Sequence, residues 1–270
     1  MTVRDALAAA AARLAAVSDT ARLDAELLMA HALGTTREAV LLNRADESAP
    51  AAFAPLVERR LRREPVAYIT GRRAFWTIEL EVGPGALVPR PDSETLIEAA
   101  IAHFGKAGPA RILDLGTGPG TLLLAALDQW PEATGLGVDA SEGALDYARR
   151  NGAGRAEFRR GDWGAGIEER FDLILCNPPY VACAAELPAD VVAFEPHGAL
   201  FAGGDGLDAY RTLAPQFARL LAPGGMICLE IGAGQEKAVS ALMANWGFTI
   251  ESRKDLKGIV RCLVLRVDAE

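Results

Sequence analysis

At 270 residues, 50% hydrophobic and 24% charged, the chain has an ordinary globular composition. This excludes a disordered or fibrous protein and leaves one large domain, or one domain with a small companion. The formal net charge of −8, from 28 basic and 36 acidic residues, argues against a dedicated nucleic-acid binder, which needs surplus cations to displace counterions.

Four cysteines, Cys176, Cys183, Cys228 and Cys262, form no CxxC pair, and only three histidines accompany them. Neither a metal site nor a disulfide framework is indicated, and a reducing cytoplasm fits. The alanine-rich stretch 6–17 is broken by Arg13 and preceded by Arg4 and Asp5, so it reads as an amphipathic helix and not as an export signal. No apolar run reaches the roughly 18 residues that a membrane span requires.

Leu7, Leu14 and Val17 share a helical stripe. Leu23, Leu27, Leu28 and His31 recur at three- and four-residue spacing until Gly34 stops a second helix, with His31 read as a packed core histidine. Pieces at 40–42 and 55–63 complete a small bundle over residues 1–72, where Arg59, Arg60, Arg62 and Arg63 form either a charged helix face or a small RNA-contacting patch. Residues 73–90 change period: Ile78, Leu80 and Val82 alternate with Thr77, Glu79 and Glu81 before the Gly83-Pro84-Gly85 turn, a hairpin joining two domains. The charge divides at the same place, with ten basic against nine acidic residues in 1–72 and 18 against 27 in 73–270. The acidity thus belongs to the second part.

From Pro91 onward apolar runs alternate with helical ones. A helix over 94–104, with Asp92 or Ser93 as N-cap, precedes a strand at 111–115, a helix at 121–130, a strand at 135–139 and a helix at 141–151. Further strands fall at 156–160, 171–177, 225–231, 248–253 and 261–267, with helices at about 208–221 and 235–246. Such alternation predicts an α/β, Rossmann-like domain over 91–270, a mostly parallel sheet with helices on both faces and ligands at the carboxyl ends of its strands.

The first strand runs into Asp114-Leu115-Gly116-Thr117-Gly118-Pro119-Gly120, and a helix follows. Glycines allow a tight turn and close approach to a ligand. The nicotinamide pattern G-x-G-x-x-G would need glycine at Thr121 and is absent; the D-x-G-x-G-x-G form resembles the first motif of class I S-adenosylmethionine methyltransferases. Asp139 ends the second strand, where an acid accepts hydrogen bonds from ribose hydroxyls. Asp162 and Trp163 follow the third strand, where methyltransferases of this class hold the adenine.

The strand at 171–176 ends in Asn177-Pro178-Pro179-Tyr180. Consecutive prolines fix φ and remove two donors, which leaves a rigid turn with outward carbonyls. A planar –NH₂ has a delocalised lone pair and is a poor nucleophile. If the Asn177 side-chain oxygen and the Pro178 carbonyl each accept one N–H, they hold that nitrogen and aim its lone pair at a sulfonium methyl, while Tyr180 packs against the planar group. Exocyclic adenine nitrogens and glutamine amides both suit such a turn, and the tetrapeptide alone does not choose between them.

Further blocks carry a more specific resemblance: Leu23-Asp24-Ala25-Glu26-Leu27-Leu28, Pro65 to Gly71 with Phe75-Trp76, Val88 to Glu94, Ile112 to Gly120, Asn177 to Val181, and Glu195-Pro196 with Gly203 to Leu207. In this order they resemble the PrmC/HemK family of N5-glutamine methyltransferases. The resemblance implies a helical substrate-recognition domain, a β-hairpin linker and a Rossmann-like catalytic domain. It implies S-adenosyl-L-methionine as cofactor, S-adenosyl-L-homocysteine as product, and class I peptide chain release factors as protein substrates, modified at the glutamine of a Gly-Gly-Gln motif.

Carried over by position, cofactor contacts fall on Gly116, Thr117, Gly118, Pro119, Gly120, Asp139, Asp162, Trp163 and Asn177, and glutamine contacts on Asn177, Pro178, Pro179 and Tyr180. Pro119 stands where relatives carry a small residue and supplies no N–H; Ser93 stands where Thr is usual. Arg90 and Glu195 are assigned to the substrate side, with Asp92 either at the pocket mouth or a helix cap. The rivals are a glutamine methyltransferase of a ribosomal protein, which shares the turn, and a DNA adenine N6-methyltransferase, which needs a basic target-recognition region that the acidic second part lacks. The expected enzyme is a monomer with no stable nucleic-acid or membrane partner.

Overall fold

The computed structural model describes residues 1–267, in two compact units. The first comprises Met1–Arg72 with Leu187–Phe194, and the second Arg73–Glu186 with the chain from Glu195 onward.

In the first unit α1 (Val3–Leu14) opens with a reciprocal capping box between Thr2 and Asp5. It is followed by α2 (Ala21–Leu33), α3 (Arg37–Asn43), α4 (Phe53–Leu61) and α5 (Val66–Thr70). Val3, Leu7, Leu14, Leu28, Met29, Val40, Phe53 and Val57 form its core. The buried face of α2 is only partly the expected one: Leu28 is buried and Leu27 half-buried, but His31 and Leu23 are exposed, while Asp24, Ala25 and Met29 are buried.

Ion pairing is the reason for this rotation. Arg60 Nε donates to Asp24 Oδ2 at 2.8 Å with both side chains under a tenth exposed, and Thr20 Oγ1 donates to Asp24 Oδ1 at 2.9 Å. Glu26 is likewise buried between Arg22 and Arg37, at 2.5 and 2.7 Å. The four-arginine run is therefore not one solvated face. Arg60 is buried, Arg59 pairs with Glu64, and only Arg62 and Arg63 are exposed.

A short helix far along the chain, α9 (Ala189–Phe194), groups with this unit. Its six residues carry too little periodicity to be read from sequence.

The second unit begins with the two-stranded hairpin β1 (Arg72–Phe75) and β2 (Ile78–Glu81). The sheet strands are β3 (Arg111–Leu115), β4 (Thr134–Asp139), β5 (Glu157–Arg160), β6 (Phe171–Cys176), β7 (Leu221–Glu230), β8 (Phe248–Lys254) and β9 (Val260–Val267). Their helices are α6 (Glu94–Phe104), α7 (Thr121–Gln129), α8 (Glu142–Gly152), α10 (Asp208–Leu220) and α11 (Glu236–Ala244). The sheet order is β5-β4-β3-β6-β7-β9-β8, parallel except for β9, which runs antiparallel to both β7 and β8.

Side chains alternate across the sheet. Leu113, Leu115, Ile227, Leu229 and Ile231 pack with Tyr210, Leu213 and Phe217 of α10 and Val239 and Met243 of α11. Asp114 points to the opposite face and meets the Leu123 amide of α7. The hairpin is bolted onto α7 and α8: Thr77 Oγ1 donates to Asp128 at 2.5 Å, the Glu81 amide to Asn151 Oδ1 at 2.7 Å, and Arg150 pairs with Glu81 at 3.0 Å.

Neither Asp92 nor Ser93 caps α6 through its side chain. Asp92 lies in a 3₁₀ turn, Pro91–Ser93, 3.5 Å from Lys257 and 3.6 Å from Arg261, and the Ser93 hydroxyl is engaged elsewhere. Among the described residues no helix is long and apolar enough to cross a membrane.

Removing one partner of the buried Asp24–Arg60 pair leaves an uncompensated buried charge. Asp24→Ala is expected to lower stability by about 3 kcal/mol in urea unfolding of the full chain, with part recovered on adding Arg60→Met. A loss below about 1 kcal/mol would show that the pair carries no structural burden.

Candidate active site

Two loops meet where the strand order reverses. From β3 the chain steps outward through β4 to β5, whereas β6 pairs with the other side of β3 and leads to β7. Leu115 pairs with Cys176 in register, so the loop at 116–120 and the turn at 177–180 leave the sheet side by side. This is the switch point at which open α/β sheets bind ligands.

The backbone ties the first loop down. Gly116 and Thr117 amides donate to the Val138 carbonyl at 2.9 and 3.0 Å. At Gly116, φ is +73° and an added Cβ would lie 3.2 Å from the Trp163 indole. Gly120, at φ +89°, opens α7 and leaves no room for a Cβ against Leu124. Asp139 Oδ2 ties the loop down by accepting from the Gly118 amide, and Oδ1 accepts from the Ser141 amide at the start of α8, each at 2.8 Å. An ionised carboxylate offers about four lone-pair directions, so Asp139 retains acceptor capacity toward a ligand. Trp163 is held at φ +51°, a left-handed backbone unusual for a bulky residue.

The cavity between the loops has a volume of about 390 Å³, within the range of small-molecule sites. Its wall includes Gly116, Thr117, Gly118, Pro119, Asp139, Asp162, Trp163, Asn177, Pro179 and Arg90. Gly120, Pro178, Tyr180 and Glu195 are not on it.

Tyr180, expected against a planar acceptor group, instead packs on the α10–α11 core, and its hydroxyl donates to Glu230 Oε1 at 3.4 Å. Burial, reinforced by the Glu230 charge, raises its phenol to about 12. Glu195, expected in the wall, stands behind it: its side chain is 2% exposed, Oε2 accepts from the Val88 amide at 3.1 Å, and Oε1 holds Arg90, which does reach the cavity. Pro178 is buried at the end of β6, one residue beyond Asn177. The Asn177 Nδ2 donates to Ser93 Oγ at 3.3 Å.

The motif reading gives Asp114, which heads the glycine pattern, no contact of its own, and it misses Asn151 and Gln235 altogether. Asp114 is buried in the wall, its Oδ2 accepting from Thr117 Oγ1 at 2.7 Å and the Leu123 amide at 3.2 Å, while Oδ1 has no partner among the described residues. Burial raises its carboxyl to about 7, with the charge of Asp139 adding to the shift. A lone carboxylate oxygen facing a cavity suits a cationic ligand group. The flat Trp163 face and the remaining acceptor capacity of Asp139 suit a heteroaromatic ring and a diol, so the residues present fit an aminoacyl nucleoside bearing positive charge.

Asn151 bridges the hairpin to the glycine loop, its Nδ2 donating to the Pro119 and Glu81 carbonyls at 2.9 and 3.0 Å. Gln235 Nε2 holds the Tyr180 carbonyl at 3.0 Å. A charge closing an apolar strand, as Glu230 closes β7, is the signal that marks such residues in sequence.

Residues 108–257 match a methyltransferase domain, and residues 5–71 match the PrmC N-terminal domain. The fold is that of class I methyltransferases. It aligns with the ribosomal protein L11 methylase of Lactobacillus delbrueckii subsp. bulgaricus at a TM-score of 0.51 and 20% identity, covering 70% of this chain and 86% of that one, a likeness of fold alone.

Sequence identity defines the family. The chain is 46% identical over 258 residues to the release factor glutamine methyltransferase of Rhodospirillum rubrum, covering 91% of this chain and 78% of that one. It is 42% identical to the enzyme of the same name from Cereibacter sphaeroides over 281 aligned positions, covering 100% of both. The chain belongs to the release factor glutamine methyltransferase family.

Asp114 gives the site a pH signature. Its carboxyl titrates at about 7 when folded and near 3.8 when unfolded, so between these values the native state binds more protons and stability falls as pH rises. Asp114→Asn is expected to make this decline shallower when Tm is followed from pH 4 to 8. An unchanged slope would place the buried proton elsewhere.

Proposed function

We propose that this chain transfers a methyl group from S-adenosyl-L-methionine to the side-chain amide nitrogen of the glutamine in the Gly-Gly-Gln loop of class I peptide chain release factors. The observation that supports this most is the orientation of Asn177. Its amide NH₂ is committed to Ser93, so its oxygen is the free end of a side chain on the wall that it shares with the glycine loop.

When bound, S-adenosylmethionine supplies an electrophilic methyl group on a positively charged sulfur. The residues suited to hold it are the 116–118 backbone, Asp114 for the cationic end, Asp139 for the ribose, and Asp162 with Trp163 for the adenine. Asn177 Oδ1, on the cavity wall, accepts one N–H of the substrate amide, and the carbonyl of Pro178, which lies behind that wall, is assigned the other; together they fix the nitrogen and turn its lone pair toward the methyl group. These hydrogen bonds strengthen as positive charge develops on nitrogen, so they favour the transition state over the ground state. The proton leaves after transfer, when the nitrogen has become acidic, and no general base is required. Glu195 holds Arg90 at the cavity wall, where the guanidinium can meet carbonyls of the incoming protein loop.

The acidic catalytic part, net −9 over residues 73–270 from 18 basic and 27 acidic groups, favours a basic protein partner and repels DNA that presents the same planar amine. Residues 1–72 are assigned to recognition of the release factor and 73–90 to the link between domains.

Incubation with methyl-labelled S-adenosylmethionine and a release factor should label the factor, and a factor with that glutamine changed to alanine should remain unlabelled. Label retained by the alanine variant would overturn the assignment, and label directed only to a ribosomal protein would move it to that substrate. Asn177→Ala is expected to abolish transfer while cofactor affinity stays within about tenfold, roughly 1.4 kcal/mol; near-normal turnover would refute its role.

A further inference from the structure

We infer that Gln235 is a positioning residue of the transfer reaction: its side-chain amide anchors the far end of the turn at 177–180, at the first carbonyl that the prolines do not control. The inference rests on the methyl-transfer reading above.

Pro178 and Pro179 have locked φ, and a residue that precedes a proline is confined to extended ψ, which restrains Asn177 and Pro178 as well. That extended well is still about 40° wide, so a turn held by β6 alone would swing within it. The first unrestrained torsion is ψ of Pro179. Gln235 takes hold just beyond it, its Nε2 donating to the Tyr180 carbonyl at 3.0 Å and to the Gly206 carbonyl at 3.3 Å. On the other side of the amide, Oε1 accepts from the Gly232 backbone N–H at 2.9 Å. Carbonyls only accept and a backbone N–H only donates. The sense of the Gln235 amide is therefore fixed, and both of its N–H donors are spent on the two carbonyls.

The clamp joins two segments that wall the cavity. Beyond Tyr180 the chain lies along 200–202: the Val181 amide donates to the Leu200 carbonyl and the Ala202 amide to the Val181 carbonyl, each at 2.9 Å. Asn177 and Pro179 line the cavity just before this bridge on one segment, and Pro196, Gly198 and Ala199 just before it on the other. A Cβ at Gly206 would lie 2.4 Å from the Tyr180 carbonyl oxygen, so only glycine lets its loop come close enough for one amide to hold both carbonyls. With β6 at one end and Gln235 at the other, the acceptors that hold the substrate nitrogen keep a fixed place.

Gln235→Glu keeps the length of the side chain and an oxygen for the Gly232 amide, but when ionised it sets a carboxylate against two carbonyls in place of two donors. Its protonated form regains one O–H donor. The ionisable groups on the surrounding elements are Tyr180 on the turn, Asp208 and Tyr210 on α10, Glu230 on β7, Glu236 on α11 and Arg261 on β9. They are common to wild type and variant, so a comparison at each pH isolates position 235.

In the release-factor assay Gln235→Glu is expected to lose kcat by on the order of 100-fold at about pH 8. KM for S-adenosylmethionine should stay within about twofold, and the deficit relative to wild type should shrink as pH falls toward about 6 and the carboxyl gains its donor proton. Gln235→Met removes the donors without adding a charge; it should lose kcat comparably, with a ratio to wild type that is flat in pH, and it serves equally if the Glu variant does not fold. A merely structural role would lower Tm and leave kcat of the folded variants unchanged. Without turnover, the Asn177 side-chain NH₂ resonances of the ¹⁵N-labelled full chain, assigned by their absence in Asn177→Ala, should shift in Gln235→Glu at high pH and return toward wild type at low pH.

Folded variants that keep the wild-type kcat, a Glu variant whose deficit does not ease as pH falls, or Asn177 signals indifferent to position 235 would overturn the inference and leave the substrate reading intact. If the Asn177 signals follow position 235 while the wild-type protein fails to label the release factor, the substrate reading falls and the positioning role stands.

Discussion

The pairing of β3 with β6 is the constraint on which the site depends. A central strand flanked by one neighbour that leads left and another that leads right must release two loops at one edge, and here these are the glycine loop and the Asn-Pro-Pro-Tyr turn. Each is rigid for its own reason. The first is pinned by the Val138 carbonyl and by Oδ2 of Asp139; the second is stiffened by two fixed φ angles and anchored through Gln235. The cavity is the space that these two rigid edges enclose.

Its electrostatics come from carboxylates placed where apolar strands would otherwise continue. Asp114 and Glu230 both lie on the face turned away from the α10–α11 core, both are buried, and each retains one oxygen without a partner among the described residues. Burial raises both to about 7, so each is poised to change charge near neutrality. Such groups are costly to bury and are tolerated where a ligand or a proton makes use of them. In this site Asp114 faces the cavity directly, and Glu230 lies off its wall, where the Tyr180 hydroxyl donates to it.

The helical unit follows a different logic. Its second helix buries Asp24 and Glu26, each satisfied by arginines from other turns, and exposes Leu23 and His31. Apolar periodicity identified the helix and its buried Leu28 but misplaced the edges of the buried face. An acid with a partner elsewhere in the chain is indistinguishable, in sequence, from an acid in water.

What the sequence determined by itself were the features encoded by neighbours: the strand-helix alternation, the tight turn at 116–120, the proline-locked turn at 177–180 and the acid ending β4. These depend on φ preferences, periodicity and local hydrogen bonding, which act over a few residues. Tertiary structure alone decided how those pieces are supported. Asn177 meets Ser93 across 84 residues, Arg90 meets Glu195 across 105, and Arg60 meets Asp24 across 36. Glu195 moved from the wall to a position behind it, and Tyr180 turned from the cavity toward Glu230, because a buried polar group must find its hydrogen-bond partner wherever the fold brings one within reach, and no local pattern records that distance.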